Sequence, residues 1–169
     1  MTDVIFIIAE KGFRDEELFE PKKVIEGKGF SCEIASKTIG EKEGSMGGKA
    51  VASKSLKDIK AENYKAVIFV GGHGARQYFN DSEALSIAKK AYEKGKIVGA
   101  ICIAPVILAN SGILKGKKAT VFSGNESVLE SKGAVLESKN VVRDGNIITA
   151  CGPKAAKEFG DEIANLIKN

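Results

Sequence analysis

Cys102 lies where an apolar strand pattern changes into a helical pattern with no turn residues between them. Residues 96–101 are typical of a short buried strand, and residues 105–109 of the first turns of a helix that ends at Gly112. A cysteine at such a junction lies near the carboxyl edge of a sheet and the positive end of a helix dipole, and both features favour the thiolate. We therefore predict a reactive cysteine; the alternative is a small buried residue that fills a tight corner.

An acidic helix pattern at residues 15–26, with Asp15 as its expected N-cap, offers a partner for this thiol. Glu17 shares a helical face with Pro21, beside the apolar stripe that includes Leu18, so it is the carboxyl group that we expect to be partly buried. A buried carboxyl group near a thiolate has a raised pKa and acts as a proton donor. The alternative is a first-turn glutamate that only interacts with the helix dipole.

The glycine-rich segment 71–74 follows a second apolar strand pattern at residues 64–70. Its spacing is that of neither a P-loop nor a dinucleotide fingerprint, so a phosphate cradle is the weaker interpretation. Glycine allows a backbone N–H to approach a reacting oxygen closely, which is the role that we favour. His73, within the segment, could act as acid, base or ligand contact; the alternative is a surface histidine without a partner.

Strand and helix patterns alternate along the chain, which predicts an α/β fold with a mostly parallel sheet and helices on both faces. Ligands of such sheets bind outside the carboxyl ends of the strands, where residues 10–17, 71–74 and Cys102 all fall. The expected strands are 4–8, 30–36, 64–70, 96–101, 119–122, 135–136, 141–143 and 147–149, with a hairpin at 40–53 and a turn at 144–146. The remaining expected helices are 82–94 and 153–167.

The composition is that of an ordinary soluble globular protein, with 43% hydrophobic and 28% charged residues among 169. We expect a single domain over residues 1–169. The first ten residues do not match a signal peptide and no apolar run reaches membrane-spanning length, so we expect a cytoplasmic protein with no membrane partner. A net charge of +4, spread over short lysine groups without interleaved aromatics, argues against a nucleic-acid partner.

The cysteines and the single histidine limit what metal the chain could bind. Cys32, Cys102 and Cys151 are too widely and irregularly spaced for a disulfide framework or a zinc site, and we expect the first and last to be packing residues. Since His73 is the only histidine, a histidine-based metal cluster is excluded. We expect neither a metal nor an organic cofactor.

Four ordered motifs give the chain a specific resemblance. They are F-R-D-E-E-L-F-E-P at 13–21, V-G-G-H-G at 70–74, A-I-C-I-A-P at 100–105 and V-R-D-G-N-I-I-T-A-C-G-P at 142–153. The chain resembles the ThiJ/PfpI superfamily, a class I glutamine-amidotransferase-like group that contains the PfpI intracellular proteases and the Parkinson-linked deglycases. The resemblance implies a flavodoxin-like three-layer sandwich with a nucleophile elbow.

The resemblance also implies roles for individual residues. Cys102 falls on the nucleophile of the superfamily, and Glu17 on the acidic residue that hydrogen-bonds its sulfur. Gly72 and Ile103 fall on the backbone N–H donors of the oxyanion pocket. Members of the superfamily commonly form dimers or larger rings, so we expect a homo-oligomer, a dimer or higher.

Two departures from the superfamily pattern bear on function. The protease-like members carry histidine directly after the nucleophile, where this chain has Ile103, and other members supply a histidine where this chain has Phe122. We expect Phe122 and His73 to be possible substrate contacts instead. A thiol without a basic partner is poorly suited to peptide hydrolysis, because the leaving amine needs a proton.

We therefore expect chemistry on a small reactive carbonyl compound of the methylglyoxal type, with Cys102 as nucleophile and Glu17 as acid and base. The partner would be a small aldehyde; a peptide substrate, cleaved by a PfpI-type cysteine peptidase, is the first alternative. A non-catalytic oxidative-stress sensor that acts through oxidation of Cys102 is the second. A structural domain with an inert thiol is the third.

Overall fold

Twelve β-strands and five α-helices follow one another along residues 1–169, all of which the computed structural model describes. The strands are β1 (Val4–Ile7), β2 (Lys11–Phe13), β3 (Cys32–Ser36), β4 (Gly40–Gly44), β5 (Lys49–Ala52), β6 (Lys54–Ser55), β7 (Ala66–Phe69), β8 (Ile97–Ile101), β9 (Lys118–Ala119), β10 (Val135–Leu136), β11 (Val141–Asp144) and β12 (Ile147–Ala150). The α-helices are α1 (Asp15–Gly27), α2 (Ser82–Glu93), α3 (Pro105–Ser111), α4 (Glu126–Ser131) and α5 (Ala156–Lys168). Short 3₁₀ helices are formed by Leu56–Asp58, Ala61–Asn63, His73–Tyr78 and Pro153–Ala155.

A seven-stranded sheet with the order β11-β12-β8-β7-β1-β3-β6 forms the centre of the molecule. Every neighbouring pair in it is parallel except β11 and β12, which form a hairpin. Strands β1, β7 and β8 are buried throughout, as expected for parallel strands covered on both faces. The prediction of a flavodoxin-like sandwich with a mostly parallel sheet is confirmed.

Two hydrophobic layers hold the helices against the sheet. Ile25 and Phe159, from α1 and α5, belong to the layer on one face, and Ala88 and Leu108, from α2 and α3, to the layer on the other. All four side chains are fully buried, so each of these four helices packs its apolar face against the sheet. No helix combines the length and the apolar composition that a membrane-spanning helix needs.

The structure departs from the expected elements at several points. The strand expected at 119–122 is reduced to Lys118–Ala119 and pairs with β10 outside the central sheet. Helix α4 and strands β2 and β6 were not predicted, because they are too short to show a period in the sequence. The hairpin expected at 40–53 is present as β4 and β5, and β2 pairs with β4 beside it.

Asp15 is not the N-cap of α1. Arg14 is the capping residue and has no side-chain cap hydrogen bond. The Asp15 carboxylate instead accepts the backbone N–H groups of Met46 (2.9 Å) and Gly48 (2.7 Å). Asp15 therefore ties the β4–β5 turn to the first turn of the helix that carries Glu17.

The elbow between β8 and α3 centres on Cys102. Its φ of 66° is the only positive value at a residue other than glycine. Cys102 donates its N–H to the Ala150 carbonyl (2.9 Å), and its own carbonyl accepts the N–H of Phe122 (2.8 Å). Backbone hydrogen bonds from both sides thus hold a conformation that L-residues rarely adopt.

This conformation predicts an unusual order of stability among substitutions of Cys102. We expect Cys102→Gly to have a free energy of unfolding about 1 kcal/mol higher than that of Cys102→Ala, because glycine adopts positive φ without strain. Chemical denaturation of the two variants measures the difference. The matched control is Ala109→Gly within α3, where glycine should lower stability by about 1 kcal/mol relative to alanine. Equal stabilities at position 102 would contradict a strained elbow.

Candidate active site

The carboxyl ends of β1, β7 and β8 open into one cavity, because these strands are neighbours in the sheet. The volume of the cavity is about 550 Å³. All six residues that the sequence selected line it: Glu17, Gly72, His73, Cys102, Ile103 and Phe122. The structure brings these residues together; their chemical roles stay predictions.

Cys102 lines the cavity and is only slightly exposed, at 8%. Burial, followed by the neighbouring Glu17 carboxylate, raises the pKa of Cys102 to about 12. The backbone N–H groups of Gly72 and Ile103, which face the sulfur, act to lower this pKa. The expectation that this position favours the thiolate is therefore wrong for the free protein, because burial outweighs the adjacent N–H groups.

Glu17 is fully buried, at 0% exposure, beside the Cys102 thiol. Neither of its carboxyl oxygens has a nitrogen or oxygen hydrogen-bond partner. Burial raises the pKa of Glu17 to about 8, although the Cys102 thiol and the charge of Arg14 both act to lower it. Glu17 is therefore mainly a neutral carboxylic acid at neutral pH, as the sequence analysis expected of a proton donor.

Gly71 and Gly72 allow the segment after β7 to lie directly against Cys102 and Glu17. A Cβ atom at Gly71 would stand 2.5 Å from the Cβ of Cys102, from Oε1 of Glu17 and from the Ile101 carbonyl oxygen. Gly72 has a φ of +98°, and a Cβ there would collide with the backbone of Arg14. Only glycine at both positions brings the Gly72 N–H to the sulfur without displacing α1.

The other predicted contacts form the walls and rim of the cavity. His73 is exposed, and its imidazole covers Gly12, where a Cβ would collide with Nε2. Phe122 is 44% exposed, with its ring against Gly152. Ile103 is buried beside the thiol, so an aliphatic side chain directly follows the cysteine.

Several lining residues were not selected from the sequence. Arg14 lies inside the quoted motif at 13–21, and Arg76 lies two residues after the glycine-rich segment, so proximity to these motifs was the available signal. Pro153 ends the quoted motif at 142–153. The others are Ser45, Met46, Ser123, Gly124 and Asn125, which come from loops without a recognisable pattern. No group of three or more histidine, cysteine or acidic side chains is arranged to hold a metal ion.

A larger depression of about 890 Å³ adjoins the cavity and shares Arg14, Phe122, Ser123 and Pro153 with it. Cys151 lines this depression, but neither Cys102 nor Glu17 does. The smaller cavity is therefore the candidate active site, since it alone contains the thiol and the buried acid.

Sequence comparison identifies the family. Residues 2–166 match the DJ-1/PfpI family, to which the chain therefore belongs. An uncharacterized protein of Methanocaldococcus jannaschii is 45% identical over 168 residues, which cover 98% of this chain and 82% of that protein. A protein of Pyrococcus horikoshii named as a deglycase is 29% identical over 165 residues, which cover 98% of this chain and 99% of that one.

Solved structures agree with this assignment. A ThiJ/PfpI domain protein from Brachyspira murdochii matches with a TM-score of 0.96 and 33% identity, covering 98% of this chain and 96% of that one. DJ-1beta of Drosophila melanogaster matches with a TM-score of 0.89 and 25% identity, covering 99% and 91%. The superfamily resemblance inferred from the four motifs is thereby confirmed.

The close packing at Gly71 predicts a large effect for one added methyl group. We expect Gly71→Ala to lower the free energy of unfolding by about 2 to 3 kcal/mol, because two of the three atoms that it meets belong to the elbow. Gly27→Ala, at the end of α1, is the control: a Cβ there meets nothing within 4 Å, so stability should change by at most about 1 kcal/mol. Chemical denaturation would refute the packing argument if both variants behaved alike.

The buried carboxyl group predicts a particular pH dependence of stability. The pKa of Glu17 rises from 4.5 to about 8 on folding, so between these values the folded state keeps a proton that the unfolded state has lost. The free energy of unfolding should therefore fall as pH rises from about 5 to 8, by up to about 1.4 kcal/mol per pH unit from this group and on the order of 4 kcal/mol in all.

Glu17→Gln should remove that contribution. The measurement is the free energy of unfolding of wild type and variant at several pH values between 5 and 8, from which the difference between them is taken. We expect the variant to gain on wild type as pH rises, whereas the control Glu20→Gln, on the same helix, should retain the wild-type pH dependence. A difference that does not change with pH would show that Glu17 is ionised in the folded state.

Proposed function

We propose that this chain is a cysteine-dependent enzyme of the glyoxalase III or deglycase type, which converts small reactive carbonyl compounds such as methylglyoxal into hydroxy acids. The observation that carries the proposal is the unpartnered, buried carboxyl group of Glu17 beside the Cys102 thiol in an open cavity. Such a pair provides one nucleophile and one group that can both take and give a proton. The deglycase name of the Pyrococcus horikoshii relative adds support.

The reaction would begin with transfer of the thiol proton of Cys102 to the ionised fraction of Glu17. Two negative charges in this buried pair would repel each other, so the thiolate exists when Glu17 holds the proton. The sulfur then forms a bond to the aldehyde carbon, and the electron pair of the C=O double bond moves to the oxygen. The N–H groups of Gly72 and Ile103, which face the sulfur, would stabilise that oxygen.

An internal rearrangement would follow. Glu17 protonates the alkoxide to give a hemithioacetal, then removes the proton from the former aldehyde carbon and returns a proton to the adjacent carbon through an enediol. The product is a thioester of a 2-hydroxy acid, which water hydrolyses to release the acid and the Cys102 thiol. The aldehyde carbon is oxidised and the adjacent carbon reduced, so one water and one methylglyoxal give one lactic acid without an external redox partner.

Peptide hydrolysis has less support from the geometry. The imidazole that peptidases of this type place beside the nucleophile is absent, because Ile103 and Phe122 occupy the two positions from which relatives supply it. The ring of His73 lies over Gly12 on the cavity wall. Glu17 alone would have to activate the thiol and protonate the leaving amine.

An oxidation sensor is the second candidate, and one observation favours it. A protonated Glu17, together with the N–H groups of Gly72 and Ile103, would provide hydrogen-bond donors for the oxygens of an oxidised Cys102. The same geometry therefore suits a sulfinate. Selective addition of two oxygens to Cys102 by mild peroxide, without turnover of any aldehyde, would favour this function.

Turnover of methylglyoxal tests the enzymatic proposal. We expect lactate formation to fall by at least about a hundredfold in both Cys102→Ser and Glu17→Gln, because each variant removes a group that the reaction needs. Wild-type activity should increase as pH rises toward about 8, where more of Glu17 can accept the thiol proton.

Cys151→Ser is the matched control, since this cysteine lines the adjoining depression and not the cavity. It should retain wild-type turnover. Unchanged activity in either Cys102→Ser or Glu17→Gln would remove the proposed mechanism.

A further inference from the structure

The cavity wall contains more positively charged than negatively charged side chains. The chain has three arginines, and two of them, Arg14 and Arg76, line the cavity. The only carboxyl group in the lining is that of Glu17, which is mainly neutral at neutral pH. The lining contains no lysine.

The two arginines differ in how their charges are balanced. Arg14 forms three hydrogen bonds with the Glu16 carboxylate, at 2.8 to 3.1 Å, so its positive charge is largely neutralised. Arg76 forms no ion pair, and its hydrogen bond is a long one, 3.4 Å, to the carbonyl oxygen of His73. The guanidinium group of Arg76 is therefore an uncompensated cation at the cavity.

Arg76 is also placed close to the reacting sulfur along the backbone. It belongs to the 3₁₀ helix His73–Tyr78, which begins directly after Gly72, whose N–H reaches the Cys102 sulfur. Four residues of such a helix span only about 8 Å, a distance comparable with the length of an extended small substrate. Apolar surface for the carbon chain of such a substrate is provided by Met46 and Phe122.

A free guanidinium group recognises a planar anion, because its parallel N–H donors match the two oxygens of a carboxylate. We propose that this site prefers anionic carbonyl substrates, namely 2-oxoaldehydes that carry a carboxylate, over neutral ones such as methylglyoxal, and that Arg76 binds this carboxylate while Cys102 attacks the aldehyde. The choice of substrate rests on the proposed function. The binding of an anion next to Cys102 does not, and it can be tested without turnover.

Alkylation of Cys102 by a matched pair of reagents tests the anion site. Iodoacetate and iodoacetamide both form a bond from the sulfur to a CH₂ group with loss of iodide, but only iodoacetate carries a charge. Because the same thiolate attacks both reagents, the ionised fraction of Cys102 cancels in the ratio of their rates. Peptide mass spectrometry separates labelling at Cys102 from labelling at Cys32 and Cys151.

We expect the iodoacetate-to-iodoacetamide ratio to fall about five- to tenfold in Arg76→Gln, and to recover in part in Arg76→Lys. Arg143→Gln, which removes the arginine that does not line the cavity, should leave the ratio unchanged. Glu16→Gln removes the ion-pair partner of Arg14 and should raise the iodoacetate-to-iodoacetamide ratio. High salt should reduce all of these effects. A ratio that is the same in wild type and Arg76→Gln would overturn the proposal.

Turnover of 4,5-dioxopentanoate and of its methyl ester then tests the choice of substrate. The inference is supported if the wild-type protein prefers the anion to the ester and Arg76→Gln does not. Equal turnover of both compounds overturns it while the proposed function stands. If neither these compounds nor methylglyoxal is consumed but the alkylation ratio depends on Arg76, the proposed function fails and the anion site is supported alone.

Discussion

A carboxyl group buried without a hydrogen-bond partner, against a thiol, is the constraint on which the site depends. Glu17 and Cys102 sit where solvent cannot stabilise a charge on either, so both keep their protons in the free protein. A single negative charge on the pair would lie beside the N–H groups of Gly72 and Ile103. In the proposed reaction, the sulfur would become a nucleophile only when its proton moves to Glu17.

The architecture supplies this arrangement from three neighbouring strands. Strand β8 ends in the elbow that presents the sulfur, β7 ends in the glycines that approach it, and α1, after β1, brings the acid. The elbow holds Cys102 at a positive φ, which glycine would adopt with less strain. At Gly71 the neighbouring atoms leave no room for a side chain. Local strain and close backbone approach are therefore concentrated at the place where the chemistry is proposed.

The strands and helices that form the site could largely be predicted from the sequence, because strong periodic patterns of apolar residues mark them. The apolar runs of β1, β7 and β8, the helical face that buries Glu17 and the glycine stop at Gly112 all appear in the structure. The missed features depend on distant contacts. Asp15 was expected to cap α1 but binds the N–H groups of Met46 and Gly48, and the pKa of Cys102 is set by how deeply the fold buries it, which no local pattern encodes.

The two hydrogen bonds of Asp15 couple one wall of the cavity to the buried acid. Its carboxylate joins the turn that carries Met46 to the helix that carries Glu17, so a displacement of that part of the wall would act on Glu17. Across the opening, residues 122–125 bond mainly to one another and to the elbow carbonyl. That wall is therefore coupled to Cys102 and the opposite wall to Glu17, so a bulky substrate that displaced either wall would also displace one member of the acid–thiol pair.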